Sequence, residues 1–339
     1  MKKKQYNVAV VGATGLVGGQ ILERLAQRNF PVGEVRPLAS ERSEGEPIKF
    51  DGAELRVQKL TSDSFAGIDL ALFSAGGEIS QKFAPVAAAA GAVVVDNTSA
   101  FRYEDDIPLV VPEVNPDDVA GYTKRNIVAN PNCSTIQMIV ALKPLHDEAT
   151  IKRVVVATYQ SVSGAGKEAI DELASQSIGL FSQRPVEAKI FPHQIAFNCL
   201  PHIDVFQDNG YSKEEMKMVW ETHKILDPAI AVSPTTVRVP TFACHGEALN
   251  VEFEKPLSPE RARELLAKFP GVIVLDDPQN NVYPLGVECV ERDEVFVGRI
   301  RADETVPYGL NLWVVSDNLR KGAATNTVQI AELLVARHL

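Results

Sequence analysis

Short apolar segments alternate with helical patterns along the first third of the chain. Apolar, β-branched runs predict buried parallel strands at residues 8–11, 35–39, 70–73, 93–96 and 127–129. Helical spacing separates them at residues 16–28, and an alanine-rich helix at about residues 82–90 is ended by Gly91. Regular alternation of strand and helix predicts an α/β fold with a doubly wound, Rossmann-type parallel sheet.

The pattern changes after residue 131. In residues 247–254 the apolar positions 249, 251 and 253 alternate with polar ones, as in a strand with one covered face. Further strands are predicted at residues 154–160, 236–239, 272–276, 295–301 and 310–315. Helices are predicted at residues 167–178, 213–226, 259–269 and about 319–338. This region predicts an α+β domain with a mostly antiparallel sheet.

Two domains follow from these patterns, and a length of 339 residues suits two cores better than one. We predict a Rossmann-type domain at residues 1–131, completed by the C-terminal helix at 318–339. Residues 132–317 are predicted to form the α+β domain that carries catalysis.

Composition excludes several classes of protein. Hydrophobic residues make up 45% and charged residues 23% of the chain, which is typical of a globular protein. The net charge of −10 argues against a nucleic-acid binder, and the basic run at residues 2–4 is expected to be a solvated end. No apolar run approaches the roughly 18 residues of a membrane span. Four widely spaced cysteines without a C-x-x-C pair predict reduced thiols and a cytoplasmic protein.

A glycine-rich turn with the spacing G-x-x-G-x-x-G lies between the first predicted strand and helix. Small residues let the backbone approach a pyrophosphate, and the helix N-terminus favours its negative charge. The predicted dinucleotide-binding residues of this turn are Gly12, Thr14, Gly15, Leu16 and Val17. A tight turn without a ligand is the alternative.

The end of the second predicted strand bears on the choice of cofactor. NAD sites usually place an acid there to hold the ribose hydroxyls. Arg42, with Ser40 and Ser43, could instead bind a 2′-phosphate, which favours NADP(H). Glu34 and Glu41 are acids close by, and an exposed loop charge is the alternative for Arg42.

Cys133 follows a predicted strand and lies at or just before the N-terminus of a predicted helix. At a helix N-terminus the macrodipole lowers the pKa of a thiol below its free value of about 8.5. The thiolate is the nucleophile that acyl chemistry requires. A buried structural cysteine is the alternative for Cys133, and we predict that Cys199 and Cys289 are structural.

Six segments together resemble the aspartate-semialdehyde dehydrogenase family. They occur in the order found in the family and span nearly the whole chain. The segments are GATGLVG at 12–18, SAFR at 99–102, PNCST at 131–135, YQSVSGAG at 159–166, RVP at 238–240 with CHG at 244–246, and DNLRKGAA at 317–324.

The resemblance implies reduction of L-aspartyl-4-phosphate by NADPH to L-aspartate 4-semialdehyde and phosphate. This step leads to lysine, diaminopimelate, threonine, methionine and isoleucine. Cys133 is expected to form a thioester, His245 to act as acid and base, and Gln160 to orient the acyl group. The family also implies a homodimer. A metal held by Cys244 and His245 is not expected, since one adjacent pair is poor ligand geometry.

The resemblance also assigns binding residues. Arg238 is expected to hold the substrate α-carboxylate, Glu214 its ammonium group, and Arg102 with Lys217 its phosphate. On a helix, Glu214 and Lys217 share a face, so an exposed ion pair is the alternative for them. Three residues are expected near the cofactor and one more near the substrate. They are Ser163, Gly164 and Asn318 for the cofactor and Asn132 for the substrate.

Three other interpretations stay open. N-acetyl-glutamyl-phosphate reductases and glyceraldehyde-phosphate-type dehydrogenases also use a Cys–His thioester. The first typically has glycine before the cysteine, where this chain has Asn132, and the second has Cys-Thr-Thr, where Ser134 and Thr135 follow Cys133. A non-catalytic dinucleotide sensor would need the glycine turn without Cys133 and His245.

Overall fold

The computed structural model describes residues 4–339, so Lys2 and Lys3 of the basic run at residues 2–4 lie outside the described residues. The chain divides into two compact units. The first ends at Asn132 and resumes at Ala323–Leu339, and the second is Cys133–Gly322. No helix of residues 4–339 is long and apolar enough to cross a membrane.

Strands and helices are numbered in chain order. The strands are β1 Tyr6–Val11, β2 Val32–Ala39, β3 Pro47–Phe50, β4 Ala53–Arg56, β5 Gln58–Lys59, β6 Leu70–Phe73, β7 Val93–Asp96, β8 Ile127–Ala129, β9 Ile151–Gln160, β10 Ala231–Arg238, β11 His245–Phe253, β12 Val272–Val274, β13 Val295–Ala302 and β14 Gly309–Ser316. The α-helices are α1 Leu16–Gln27, α2 Gly77–Ala89, α3 Cys133–Ala149, α4 Lys167–Phe181, α5 Lys213–Ile225, α6 Pro259–Lys268, α7 Gly286–Cys289 and α8 Thr325–Arg337.

The first unit is built on a six-stranded parallel sheet in the order β5-β2-β1-β6-β7-β8. From β1 the chain runs outward through β2 to β5, then crosses to β6 on the other side of β1 and runs outward again through β7 to β8. The strand order therefore reverses between β1 and β6. In open α/β sheets, ligands bind at the carboxyl ends of the strands at such a point. The predicted Rossmann-type sheet is confirmed, and the glycine turn lies at this point.

The core of the first unit is shared by both ends of the sequence. Apolar side chains of β1, β6 and β7 pack with those of α1 and α8 in one buried cluster. Val328, Ile330 and Leu334 of α8 are fully buried in it. The terminal helix predicted at 319–338 is present, and a π-helical turn at Arg320–Ala324 precedes its α-helical part.

The second unit contains a six-stranded sheet in the order β10-β9-β11-β14-β13-β12. Its three central pairs are antiparallel and its two outer pairs parallel, which confirms the mostly antiparallel prediction. Helix α3 packs against β9, β11, β13 and β14, and α5 packs against β10. Ser212 and Glu215 form a reciprocal capping box that starts α5.

Among the differences from the sequence-based prediction, two have a clear physical reason. The hairpin of β3 and β4 was not predicted, because its side chains are exposed or half-buried and leave no strong apolar pattern. Strand β10 begins at Ala231, five residues before the predicted start. Pro234 lies within it, and proline is tolerated there because β10 is an edge strand.

Candidate active site

The glycine turn of the first unit is held by close backbone packing. Gly12 has a φ of +86°, and a Cβ atom there would lie 2.6 Å from the Ser74 carbonyl oxygen. A Cβ atom on Gly18 would lie 2.0 Å from the carbonyl oxygen of Gly12. Any side chain at either position would therefore push β1, β6 and α1 apart. The turn brings the chain directly into the first residues of α1, Leu16 and Val17.

A cavity of about 560 Å³ opens at the carboxyl ends of β1, β2 and β6. Gly12, Thr14, Gly15 and Ser40 line it, four of the predicted cofactor residues. Two cations that the sequence analysis did not single out also line it, Lys59 and Lys82. A glycine cradle at a helix N-terminus with lysines close by fits the pyrophosphate of a dinucleotide.

Both acids near the second strand have a cationic partner. Glu41 lies 3.0 Å from Lys59, and Glu34 lies 2.8 Å from Arg36. Arg42 is exposed in the short 3₁₀ turn Glu41–Ser43 that follows β2. The segment that follows β2 therefore carries both cations and acids beside the cavity.

The second unit places three predicted residues in one row of its sheet. Gln160 is the last residue of β9, Arg238 the last of β10 and His245 the first of β11. In the strand register, Gln160 is paired with both Arg238 and His245. Side chains in one cross-strand row lie on the same face of a sheet. The three polar groups therefore converge at the same end of three neighbouring strands, β10, β9 and β11.

Cys133 is the first residue of α3, as predicted, and is half-buried. Burial lowers the pKa of Arg238, and the charges of Glu214 and then of the Cys133 thiolate oppose this, so the sulfur lies within electrostatic reach of the guanidinium. Gly322 packs against Cys133: a Cβ atom on Gly322 would lie 2.8 Å from the Cβ of Cys133. A helix N-terminus and a buried guanidinium thus both lie near this sulfur.

His245 is fully buried and neutral. Burial, and then the charge of Arg238, lower its pKa to about 3, and Glu214 opposes the shift. Its Nδ1 accepts the backbone N–H of Ser161 at 3.1 Å, so the single ring proton lies on Nε2. Nε2 has no hydrogen-bond partner among residues 4–339. The buried Nε2–H is therefore available to a reacting group.

Gln160 belongs to a buried hydrogen-bond chain. Its Nε2 donates to Ser134 Oγ at 2.8 Å and to a carboxylate oxygen of Glu214 at 3.3 Å. Glu214 also accepts from Lys217 Nζ at 2.9 Å, and Lys217 donates to Asp204 at 2.8 Å. Burial lowers the pKa of Lys217, but Glu214 and Asp204 more than offset this and raise it. The exposed-ion-pair alternative for Glu214 and Lys217 does not fit, since both side chains are largely buried.

Arg238 is positioned from three sides. Its Nη1 donates to the Ser161 carbonyl oxygen at 2.8 Å, and its guanidinium lies over the ring of Phe191 at 6.0 Å. A Cβ atom on Gly164 would lie 3.0 Å from this Nη1 and 3.3 Å from His245 Nε2. Glycine at 164 thus keeps the space beside both groups open.

Asn318 and Ser163 contact each other in the second unit. The Asn318 amide donates to Ser163 Oγ at 3.0 Å, and Ser161 Oγ donates to Asn318 Oδ1 at 3.2 Å. Ser161 Oγ also lies 3.2 Å from His245 Nδ1. This network joins the predicted cofactor residues to the predicted acid/base.

Two predicted substrate residues belong to the first unit. Arg102 is buried, and its Nη2 donates to the Asn97 carbonyl oxygen at 3.0 Å. Asp96, at the end of β7, accepts from Ser80 and Thr98; burial raises its pKa, and these bonds and the charge of Arg102 oppose the shift. Asn132 is buried and directly precedes Cys133.

Several residues of the site were not singled out from the sequence. Ser134, Ser161 and Gly322 stand inside motifs that were recognised, so their place beside Cys133 and Gln160 was a usable signal. Asp204 had no such signal, because its partner is 13 residues away on a helix. Within residues 4–339, no group of three or more His, Cys, Asp or Glu side chains could hold a metal ion.

Cys199 is exposed rather than packed in a core, so its prediction as a structural cysteine was wrong, whereas Cys289 is buried. Cys244, next to His245, is also buried, and burial raises its pKa far above that of a free thiol.

Comparison with known families agrees with this geometry. Residues 7–122 match the semialdehyde dehydrogenase NAD binding domain, and residues 142–321 match the semialdehyde dehydrogenase dimerisation domain. An aspartate-semialdehyde dehydrogenase of Aquifex aeolicus is 58% identical over 337 residues, covering 98% of this chain and 99% of that protein. The enzyme of Legionella pneumophila is 58% identical over 333 residues, 98% of this chain and 96% of the relative.

Solved structures lead to the same family. Aspartate semialdehyde dehydrogenase II of Vibrio cholerae, complexed with ASA, superposes with a TM-score of 0.97 at 55% identity, covering 99% of this chain and 100% of that one. The enzyme of Candida albicans, solved with NADP, superposes with a TM-score of 0.77 at 25% identity, covering 97% and 98%. The resemblance drawn from the six motifs is confirmed: this chain belongs to the aspartate-semialdehyde dehydrogenase family.

Proposed function

We propose that this chain catalyses the NADPH-dependent reduction of L-aspartyl-4-phosphate to L-aspartate 4-semialdehyde and phosphate. The observation that carries the proposal is the row of Arg238, Gln160 and His245 on one sheet face, with Cys133 within electrostatic reach of Arg238. A nucleophile, a carboxylate-binding cation and an acid/base group are the parts that this reaction requires.

Substrate binding follows from the charges of the second unit. The planar guanidinium of Arg238 binds the α-carboxylate through two parallel hydrogen bonds. The buried carboxylate of Glu214 binds the α-ammonium, and Gln160, which already contacts Glu214, donates toward the acyl oxygen. Lys217 supplies positive charge for the phosphate. Arg102 and Asn132 complete the substrate residues on the strength of the family's motifs.

The chemistry proceeds through covalent intermediates on Cys133. The thiolate attacks the acyl carbon, the carbon–oxygen bond to phosphate breaks, and a thioester forms. NADPH, when bound, supplies the hydride. The Nε2–H of His245 donates a hydrogen bond to the oxygen that becomes negatively charged as the hydride adds, and this oxygen re-forms the carbonyl as the Cys133 thiolate leaves. The one proton that the overall reaction consumes ends on phosphate.

The family's motifs assign NADP(H)-binding residues in both parts of the sequence. In the first unit Gly12, Thr14, Gly15, Leu16 and Val17 cradle the pyrophosphate, and Ser40, Arg42 and Ser43 bind the 2′-phosphate. In the second unit the residues that would lie near the nicotinamide are Ser163, Gly164 and Asn318. We further propose a homodimer, since residues 142–321 match a dimerisation domain, and a cytoplasmic location, since all four cysteines are free thiols.

Glu214 separates this proposal from an N-acetyl-glutamyl-phosphate reductase. A buried carboxylate that faces Gln160 suits a free α-ammonium group. An N-acetylated substrate carries no such charge and would leave the carboxylate without a counter-ion from the substrate. The amino-acid phosphate therefore fits this site better than its N-acetylated homologue.

The reverse reaction provides the test. Purified protein is given L-aspartate 4-semialdehyde, phosphate and NADP⁺, and formation of NADPH is followed by its absorbance. We expect turnover that depends on phosphate, is faster with NADP⁺ than with NAD⁺, and is lost in Cys133→Ala. The control variant is Cys199→Ala, since Cys199 is an exposed free cysteine outside the site.

Each outcome tests a different part of the proposed mechanism or of the substrate assignment. Turnover without phosphate would exclude the acyl-phosphate mechanism. Turnover that survives in Cys133→Ala would exclude the thioester. Absence of turnover in protein that still binds NADPH would remove the substrate assignment, and the N-acetyl-glutamyl semialdehyde would be assayed next.

A further inference from the structure

Glu247 is a buried carboxyl group that the chemistry above does not use. It lies on β11 two residues after His245, so both side chains are on the same face of the sheet. In the register it is paired with Thr158 of β9 and Val314 of β14. It is fully buried, and neither carboxyl oxygen has a hydrogen-bond partner among residues 4–339. A buried group of this kind requires a physical account, because leaving it unsatisfied is costly.

Gln137 lies near enough to this carboxyl group for its amide to affect the pKa of Glu247. It is on α3, four residues after Cys133, and is also buried. Its Nε2 donates to the main-chain carbonyl oxygen of His245 at 3.4 Å, a long bond. Its Oε1 has no donor within the part of the chain that the structure describes. Gln137 therefore links the helix that begins at Cys133 to the strand that begins at His245.

The protonation of Glu247 decides how these atoms can be satisfied. Burial raises the pKa of Glu247 well above its ordinary value, and the Gln137 amide opposes this only in part. A carboxylic acid has one donor and one carbonyl acceptor, while a primary amide has two N–H donors and one acceptor. Paired face to face, the acid donates to Oε1 and accepts one N–H, and the second N–H stays on the His245 carbonyl. An ionised carboxylate would leave Gln137 Oε1 without a donor.

We propose that Glu247 is a positioning residue that acts as a neutral acid paired with the Gln137 amide, and thereby holds Cys133 and His245 in working register. The pair holds the Gln137 amide in one orientation, and this amide holds the main chain of His245 through its hydrogen bond. Because Gln137 and Cys133 are on the same helix, the position of the sulfur relative to His245 is held as well. A small shift of a nucleophile relative to its acid/base group is costly to catalysis. The effect of the Glu247–Gln137 pair on catalysis rests on the proposed function.

The test compares four variants with the wild type in the reverse reaction at saturating substrates. Glu247→Met and Gln137→Met remove one side of the pair each while keeping length and burial. Glu247→Gln keeps a donor and an acceptor in place. Glu252→Met is the matched control, because Glu252 is on the same strand but half-buried and paired with Lys152.

We expect kcat to fall about tenfold or more in Glu247→Met and Gln137→Met, with KM for both substrates within about twofold, because binding residues are untouched. Glu247→Gln and Glu252→Met should stay within about threefold of the wild type. The double variant Glu247→Met/Gln137→Met should lose no more than the worse single variant, since one pair is removed once. If Glu247→Met does not fold, Gln137→Met and Glu247→Gln decide the matter.

A wild-type kcat in Glu247→Met, or a loss in Glu247→Gln as large as in Glu247→Met, would overturn the proposal. A second measurement distinguishes failure of this proposal from failure of the proposed function. The rate at which iodoacetamide alkylates Cys133, measured by mass spectrometry of the Cys133 peptide, needs no substrate. If the wild type shows no turnover, the proposed function fails, and the pair is then judged by whether this alkylation rate changes about threefold or more in the two Met variants and not in Glu252→Met.

Discussion

Burial is the main reason why the His245 side chain is uncharged in the folded protein. The folded protein holds it neutral with a pKa of about 3, whereas in the unfolded chain it titrates near its ordinary value of about 6.5. Between these values the unfolded state binds more protons than the folded state. Stability must therefore fall as the pH drops from about 6.5 toward 3, by about 2 kcal/mol at about pH 5 for this residue alone.

Replacing His245 with Asn should remove this part of the acid sensitivity. We expect the melting temperature to fall by about 4–8 °C less in His245→Asn than in the wild type between about pH 7.5 and pH 5. Thermal melting at both pH values measures this, and His193→Asn is the control because His193 is exposed. Equal losses in His245→Asn and the wild type would mean that His245 is already charged in the folded protein.

At the scale of elements, the site depends on how closely Gly322 approaches the first turn of α3. A Cβ atom on Gly322 would lie 2.8 Å from the Cβ of Cys133, so Gly322→Ala must displace the nucleophile or the π-helical turn at Arg320–Ala324. Overpacking of this kind costs about 1–3 kcal/mol in stability. We expect kcat to fall about tenfold or more with folding retained, because a shift of the sulfur weakens its attack geometry.

The control for Gly322→Ala is Gly19→Ala. Gly19 lies in α1, and a Cβ atom there would have no neighbour within 4 Å. This variant should match or exceed the wild type in stability, since alanine is the better helix former by about 1 kcal/mol. Steady-state kinetics and thermal melting of both variants measure the difference. An unchanged kcat in Gly322→Ala would show that the contact can relax without moving Cys133.

What the sequence predicts well at this scale is local. The strand–Gly12–helix and strand–Cys133–helix transitions follow from apolar periodicity, and the capping box at Ser212 is a pattern of four residues. The hairpin of β3 and β4 has no comparable pattern, because few of its side chains are buried. The partnership of Lys217 with Asp204 and the pairing of Glu247 with Gln137 are set by tertiary packing, which no spacing along the chain encodes.

At the scale of the whole molecule, the first unit is completed by the last residues of the chain. Val328, Ile330 and Leu334 are fully buried in its core, and Asn326 donates to the Val110 carbonyl oxygen at 3.0 Å and to Asn130 Oδ1 at 2.7 Å. Burial of a large apolar side chain contributes about 1.5–3 kcal/mol. Three such side chains amount to about 5–9 kcal/mol, which is comparable to the entire stability of an ordinary domain of about 5–15 kcal/mol.

Ending the chain at Gly322 should therefore unfold the first unit and abolish NADPH binding, although every residue of the glycine turn is kept. Titration of the protein with NADPH, with circular dichroism as the check on folding, measures both effects. Arg337→Ala is the control, because Arg337 is half exposed and its ion pair with Asp117 is at the surface, where such pairs contribute about 0–1 kcal/mol. If the truncated chain bound NADPH as tightly as the full chain, α8 would not be needed for the fold of the first unit. Other contacts within residues 4–132 would then have to replace the buried apolar contacts of α8.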